Sequence, residues 1–118
     1  MSENPARPPF GTALCALEDI ANPGAKGFVF REGEALFAGF VLREGKEVRG
    51  YVDHCPHAGW PLAAMPDRYL TRDNKFIYCS GHGAMFLKAT GECISGPCYG
   101  EHLEVWPVQV VRGIVRAG

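Results

Sequence analysis

Short apolar runs separated by turn residues form the main pattern along the first half of the chain. Runs rich in aromatic and aliphatic residues occupy positions 28–31, 35–43 and 48–52. The segments between them, Glu32-Gly33-Glu34 and Glu44-Gly45-Lys46, have the composition of tight turns. This spacing predicts an antiparallel meander of three strands.

The second half of the chain continues the pattern with shorter runs. Further strands are predicted over 76–78, 84–87, 92–94 and 103–115. Pro107 interrupts the last run, so we expect it at a strand start or a sheet edge. Residues 12–22 fit either a strand or a short helix, and we favour the strand. The predicted fold class is therefore all-β.

The periodic pattern fails in two stretches, residues 53–66 and residues 79–83. Both are rich in Cys, His, Pro and Gly, and the first also contains Trp60. Loops of this composition on a β scaffold are common places for function. We expect the functional site of the protein in these two loops.

The length and amino-acid composition of the chain limit the classes of protein to which it can belong. The chain has 118 residues, which suits one domain, and we expect a flexible arm over 1–11 followed by a domain over 12–118. Fifteen Gly and nine Pro residues make about a fifth of the chain, against roughly 12% on average, and favour short strands over long helices. The net charge of −1 gives no basic excess for nucleic acid.

The sequence also bears on location. No apolar run approaches the ~18 residues that a membrane span needs. The first residues contain no apolar core of a secretory signal, so we expect a cytoplasmic protein. The five cysteines are unevenly spaced, and in a reducing compartment they suit metal ligands or small buried residues better than a disulfide framework.

Two short motifs carry the candidate chemistry. Cys55-Pro56-His57 and Cys79-Ser80-Gly81-His82 each offer one thiolate and one imidazole from a tight turn. Two sulfur and two nitrogen ligands suit a tetrahedral zinc ion or a [2Fe–2S] cluster with mixed ligands. The order of ligands favours the cluster, because finger-type zinc sites usually begin with a C-x-x-C pair that this chain lacks.

These motifs resemble the two cluster-binding loops of Rieske [2Fe–2S] proteins, through Cys55-Pro56-His57-Ala58-Gly59-Trp60-Pro61-Leu62 and Cys79-Ser80-Gly81-His82-Gly83-Ala84-Met85-Phe86. Residues 90–97 resemble the third loop of that family, whose Gly-Pro covers the cluster, and residues 103–108 resemble the strand that returns to the base. The resemblance implies an antiparallel β sandwich or barrel base with an inserted cluster-binding loop subdomain at about 53–98.

The resemblance also implies one [2Fe–2S] cluster per chain. Its metal ligands would be Cys55 and Cys79 on the buried iron, with His57 and His82 on the outer iron. The segment between the motifs, residues 58–78, is longer than is usual in the family. The second motif carries Ser80-Gly81 where many relatives have Pro-Trp.

Four other positions indicate a subfamily. High-potential members carry a disulfide at the positions of Trp60 and Gly81, which this chain cannot form. They also place hydroxyl donors at the positions of Ala84 and Phe86, which have none. Because hydrogen bonds to sulfur favour the reduced cluster, the resemblance implies a low potential.

The function implied is that of a low-potential ferredoxin, an electron carrier rather than an enzyme. Its partners would be a flavin-dependent reductase and a terminal oxygenase or other redox enzyme. The alternatives are a small Rieske subunit of a multi-component reductase such as nitrite reductase, and a zinc-stabilised interaction module without redox activity. The chain has no G-x-G-x-x-G element for a nicotinamide or flavin.

The remaining notable residues are given structural interpretations. Cys93 and Cys98 are interpreted as small, partly buried residues, with a bond between them or redox sensing as the alternative. Cys15 is expected in the core, and His54 and His102 at the surface. Trp60 has two interpretations, as packing for its own loop or as part of the rim of a docking surface, and Met65 and Pro97 are weaker candidates for that rim.

Overall fold

The computed structural model describes residues 4–54, 68–79 and 83–118. Antiparallel strands joined by turns make up nearly all of its regular structure, which confirms the all-β prediction. The strands are β1 Ala13–Ala16, β2 Gly24–Glu32, β3 Ala35–Glu44, β4 Glu47–Val52, β5 Phe76–Tyr78, β6 Met85–Leu87, β7 Cys93–Ser95, β8 Val108–Val111 and β9 Ile114–Ala117. No helix in the described part of the chain is long and apolar enough to cross a membrane.

The strands form three sheets of three strands each. Sheet A has the order β1-β9-β8, sheet B the order β2-β3-β4 and sheet C the order β5-β6-β7. Sheet B is the predicted meander, with pairing continuous from Gly24↔Arg43 to Glu32↔Ala35. Its two turns place Gly33 and Gly45 at positive φ, +60° and +65°, which glycine adopts without a steric penalty.

Strand β3 separates two hydrophobic cores because its side chains alternate between the two faces of sheet B. Phe37 and Val41 point into one core, and Phe40 and Leu42 point into the other. This strand is therefore buried on both faces, which explains its nearly continuous apolar sequence.

The first core, called the base core, holds sheets A and B together. Its buried members are Ala6, Ile20, Phe37, Val41, Trp106 and Val115. Trp106 is 1% exposed and makes edge-to-face contacts with Phe28 and Phe37, at centroid distances of 6.1 and 5.1 Å. A Cβ at Gly39 would lie 2.5 Å from the indole, so this close approach requires glycine.

The second core, called the insert core, packs sheet C against the other face of sheet B. Its buried members are Phe40, Leu42, Tyr51, Tyr69, Ile77, Cys79, Ala84, Phe86, Cys93, Cys98 and Leu103. Phe40 and Tyr69 stack at 4.3 Å with an interplanar angle of 9°. Sheet C lies between β4 and β8 in sequence, in agreement with a subdomain inserted into a β base.

The two ends of the described chain meet at the base. The ambiguous segment 12–22 forms β1 and then a 3-10 turn, Leu17–Asp19, so the preference for a strand is confirmed for its first part. Within the predicted arm, Ala6 is buried and Gly11 donates a backbone hydrogen bond to Ala117. Pro107 immediately precedes β8, which is an edge strand of sheet A, in agreement with the prediction of a strand start or a sheet edge.

The long apolar run 103–115 is less regular than predicted. Within this run only β8 and the first residues of β9 are strands, joined by a turn at Arg112 and Gly113 with positive φ. Before β8 the chain makes single bridges, such as Tyr51↔Val105. The apolar side chains Leu103 and Trp106 are buried in different cores, which requires the chain to cross between them.

Candidate metal centre

Cys79 is the predicted metal ligand that the structure describes. Its side chain belongs to the insert core and is 1% exposed. Three other predicted ligands, Cys55, His57 and His82, lie outside the described residues, as do Trp60 and Met65. Within residues 4–54, 68–79 and 83–118, no group of three or more Cys, His, Asp or Glu side chains gathers around a possible metal position.

Backbone hydrogen bonds join Cys79, at the start of the second motif, to the residues that follow the motif. Cys79 follows β5 directly, and its N–H donates to the Ala84 carbonyl at 2.8 Å. The Gly83 N–H returns a hydrogen bond to the Cys79 carbonyl at 2.9 Å, and Gly83 has a φ of +74°. The thiol therefore lies at the inner end of a short, tightly closed loop, which suits a metal ligand deep in the protein.

Tyr69 connects the chain segments on either side of the first motif. Its hydroxyl donates to the Asp53 carboxylate at 3.0 Å, so the residues on either side of 54–68 are tied together. Its carbonyl accepts the Tyr78 N–H at 2.8 Å, next to Cys79. The chain positions that flank both motifs therefore meet at one end of the insert.

The third loop of the predicted site lies against this same end. Gly96 has a φ of +100°, and a Cβ there would lie 2.8 Å from Ala84 Cα. Pro97 and Tyr99 are exposed, whereas Cys98 between them is buried. The structure thus brings residues 96–100 beside the segment that closes the second motif.

Two polar contacts stabilise the surroundings of the site. Tyr51 donates from its hydroxyl to the Lys88 carbonyl at 2.7 Å, and burial raises the Tyr51 pKa while Arg49 partly offsets this. The Asp73 carboxylate accepts hydrogen bonds from the Thr71 hydroxyl and the Lys75 N–H, and these lower its pKa. The first contact joins β4 to the insert, and the second fixes the turn before β5.

Ala84 and Phe86, which follow the second motif, offer no hydroxyl group to the site. Ala84 and Phe86 are both fully buried, and neither side chain can donate a hydrogen bond. The surroundings of the Cys79 thiol are therefore mainly apolar, with the buried thiols of Cys93 and Cys98 in the same core. A soft sulfur ligand in such surroundings fits an iron–sulfur cluster as well as it fits zinc.

Sequence reasoning did not identify Asp53 and Tyr69 as structural partners. They lie on opposite sides of the first motif, between the predicted strands at 48–52 and 76–78. The sequence around an aromatic residue that follows a long loop does not indicate which carboxylate its side chain will contact in the folded protein. The pair depends on how β4 and β5 pack, which the sequence pattern does not specify.

The hydrogen bond between Tyr69 and Asp53 yields a testable prediction. Tyr69→Phe keeps the ring that stacks on Phe40 and removes only the hydroxyl. We expect the free energy of unfolding in urea to fall by about 1 kcal/mol. Tyr99→Phe is the matched control, because Tyr99 is 75% exposed and should give no change. If the two variants changed the free energy of unfolding equally, the hydrogen bond at 3.0 Å would contribute nothing to stability.

Comparison with known proteins bears on the identity of the site. The family model described as the Rieske [2Fe-2S] domain matches residues 12–111. A chain in the complex of reduced oxygenase and oxidized ferredoxin in carbazole 1,9a-dioxygenase is 29% identical, with a TM-score of 0.70 and coverage of 92% of this chain and 93% of that one.

Two further solved structures share the fold. The ferredoxin of carbazole 1,9a-dioxygenase from Nocardioides aromaticivorans IC177 is 18% identical, with a TM-score of 0.70 over 93% of this chain and 98% of that chain. The Sphingomonas yanoikuyae B1 ferredoxin is 23% identical, with a TM-score of 0.66 over 91% of this chain and 96% of that chain. No curated protein matches the sequence.

Proposed function

Because the chain belongs to the Rieske [2Fe-2S] domain family, we propose that it is a ferredoxin that carries single electrons from a flavin-dependent reductase to an oxygenase or another redox enzyme. The observation that carries this proposal is the likeness, over nearly the full length of both chains, to a chain of the oxygenase–ferredoxin complex at 29% identity. A domain of this size suits a carrier, and the proposal includes no catalytic activity of its own.

The cluster would be held by Cys55, His57, Cys79 and His82. Support comes from Cys79, whose buried thiol lies at the base of a closed loop, and from Tyr69, which joins the flanks of both motifs. When bound, a [2Fe–2S] cluster takes up and releases one electron. The chain's own contribution is to supply the ligands and to keep water from the buried side.

The low potential proposed for this ferredoxin has a structural basis. Ala84 and Phe86 form buried, apolar surroundings beside the second motif and offer no hydroxyl to sulfur. Fewer hydrogen bonds to sulfur stabilise the reduced, more negative state less. We place the midpoint near the low end of the Rieske range, which spans about −150 to +300 mV.

A partner would dock at the end of the insert where the segments flanking the two motifs meet. Pro97 and the 75% exposed Tyr99 present apolar surface there, in the loop whose Gly96 lies against Ala84. Trp60 and Met65 remain further candidates for this rim. Net charge near zero gives little long-range attraction, so an apolar contact fits the chain better than electrostatic steering. We place this exchange in the cytoplasm, where the cysteines would stay reduced.

Spectroscopy of protein purified without air tests the proposal. We expect a red-brown oxidised form and, after dithionite, a rhombic spin-half EPR signal with the low average g value of mixed Cys and His ligation. A redox titration of that signal gives the midpoint potential. A colourless, EPR-silent protein with one zinc ion per chain would overturn the carrier in favour of a zinc-stabilised interaction module.

An electron carrier and a permanent enzyme subunit differ in how tightly the chain binds its partner protein. A carrier elutes alone at the size of a small domain and reduces its oxygenase at a rate that rises with its concentration. A permanent subunit, as in a nitrite reductase, would copurify with its larger partner in fixed proportion. That second result would contradict the ferredoxin while leaving the cluster in place.

A further inference from the structure

Cys93 and Cys98 are in direct contact within the insert core. Their Sγ atoms lie 2.8 Å apart, with Cys98 donating to Cys93, and the Cys93 thiol also lies 3.3 Å from the Ser95 carbonyl. The two residues are 1% and 2% exposed. Neither belongs to the predicted metal ligands, so the proposed function leaves this pair of thiols without a role.

Backbone hydrogen bonds hold the two cysteines in this arrangement. Cys93 donates to the Glu101 carbonyl at 2.7 Å and accepts from the Gly100 N–H at 3.1 Å. The Glu101 N–H donates in turn to the Cys98 carbonyl at 2.9 Å. Since the backbone on both sides is already fixed, little conformational freedom remains to be lost when the thiols react.

We propose that Cys93 and Cys98 form a redox-active dithiol, which hydrogen peroxide converts into an intramolecular disulfide. A disulfide has an S–S length of about 2.04 Å, so the two sulfurs need to approach by only about 0.8 Å. Cys98 is 2% exposed but lies in the chain between the exposed residues Pro97 and Tyr99, so the proposal requires peroxide to reach the thiol through this surface loop.

The chemistry proceeds in two balanced steps. One thiol attacks peroxide, the O–O bond breaks, and a sulfenic acid and one water form. The second thiol then attacks the sulfenic sulfur, the S–S bond forms, and a second water leaves. Overall, two thiols lose two electrons and one peroxide is reduced to two waters.

The disulfide would place a covalent restraint beside the candidate metal centre. It would join β7 to the third loop, where Gly96 packs against Ala84. Ala84 accepts the backbone hydrogen bond of Cys79. The oxidation state of the pair therefore determines how firmly the loop beside the second motif is held. The formation of the bond does not depend on the electron-carrier function.

Peptide mapping tests the proposal on the complete protein. Trypsin cleavage after Lys88 and Arg112 releases residues 89–112, a peptide with Cys93 and Cys98 as its two cysteines. Before oxidation, alkylation in denaturant should label it twice. After peroxide, we expect the same peptide to be unlabelled and lighter by two hydrogen atoms, and dithiothreitol should restore both labels.

Other products would overturn the proposal. These are a peptide that still takes two labels, a peptide that gains oxygen, a cross-link to the peptide of Cys79, and a disulfide between two chains. Cys98→Ser should abolish the loss of two hydrogens. Cys15→Ser is the matched control and should leave it unchanged, because Cys15 packs against the base core and lies outside the 89–112 peptide.

Discussion

Cys79→Ser is expected to yield a colourless protein that binds no [2Fe–2S] cluster. The thiolate is the ligand form of cysteine, whereas a serine hydroxyl stays protonated near neutral pH and is a poor ligand for iron. Cys79 is 1% exposed at the base of a closed loop, so no external ligand can easily take its place. The measurement is iron and sulfide content per chain, with the visible and EPR spectra.

A matched control separates ligand loss from core disruption. Cys98→Ser makes the same chemical change at another buried position of the insert core, 2% exposed and outside the proposed ligand set. It should retain one cluster per chain. If Cys79→Ser also retained a full cluster, or if both variants lost it equally, the assignment of Cys79 as a ligand would be wrong.

Trp106→Ala is expected to cost about 3–5 kcal/mol of the free energy of unfolding. The indole is buried between Phe28 and Phe37 and lies directly on Gly39, so its loss leaves a cavity between sheets A and B. Gly39 has no side chain that could fill this space. The change is measured by urea unfolding of the wild-type and variant proteins, prepared with the same amount of cluster per chain.

The adjacent residue provides the control for this prediction. Val105 is 56% exposed, and Val105→Ala should change the free energy of unfolding by no more than about 0.5 kcal/mol. A Trp106→Ala variant that lost no more stability than Val105→Ala would show that Trp106 does not hold the base core together.

Several features of the fold could be predicted from the sequence because they are local. Alternating apolar residues and turn glycines predicted the meander of sheet B. The structure shows it with β2 beginning four residues earlier than predicted and every other strand end within one residue. The same reasoning correctly favoured a strand at the start of 12–22. It could not place the 3-10 turn that follows, since three residues of helix leave no periodic signal.

The sequence predicted some features of the candidate site but not others. The spacing of cysteine and histidine, together with the resemblance that it carries, indicated the ligand type and the family. The structure places Cys79 where a buried ligand is expected, while the assignments of Cys55, His57 and His82 stay predictions. Cys93 and Cys98 were interpreted as small, partly buried residues, and the structure shows both of them fully buried. Their contact at 2.8 Å favours the alternative of a bond between them.

The sequence by itself therefore determined the strands, the all-β class and the candidate ligand motifs, since each depends on neighbouring residues along the chain. Only the tertiary structure decided that Tyr69 joins Asp53 to the end of β5, that β3 separates two cores and that Cys93 meets Cys98. These contacts arise when distant strands pair and pack. Hydrophobic periodicity shows which face of a strand is buried, but it does not specify what packs against that face.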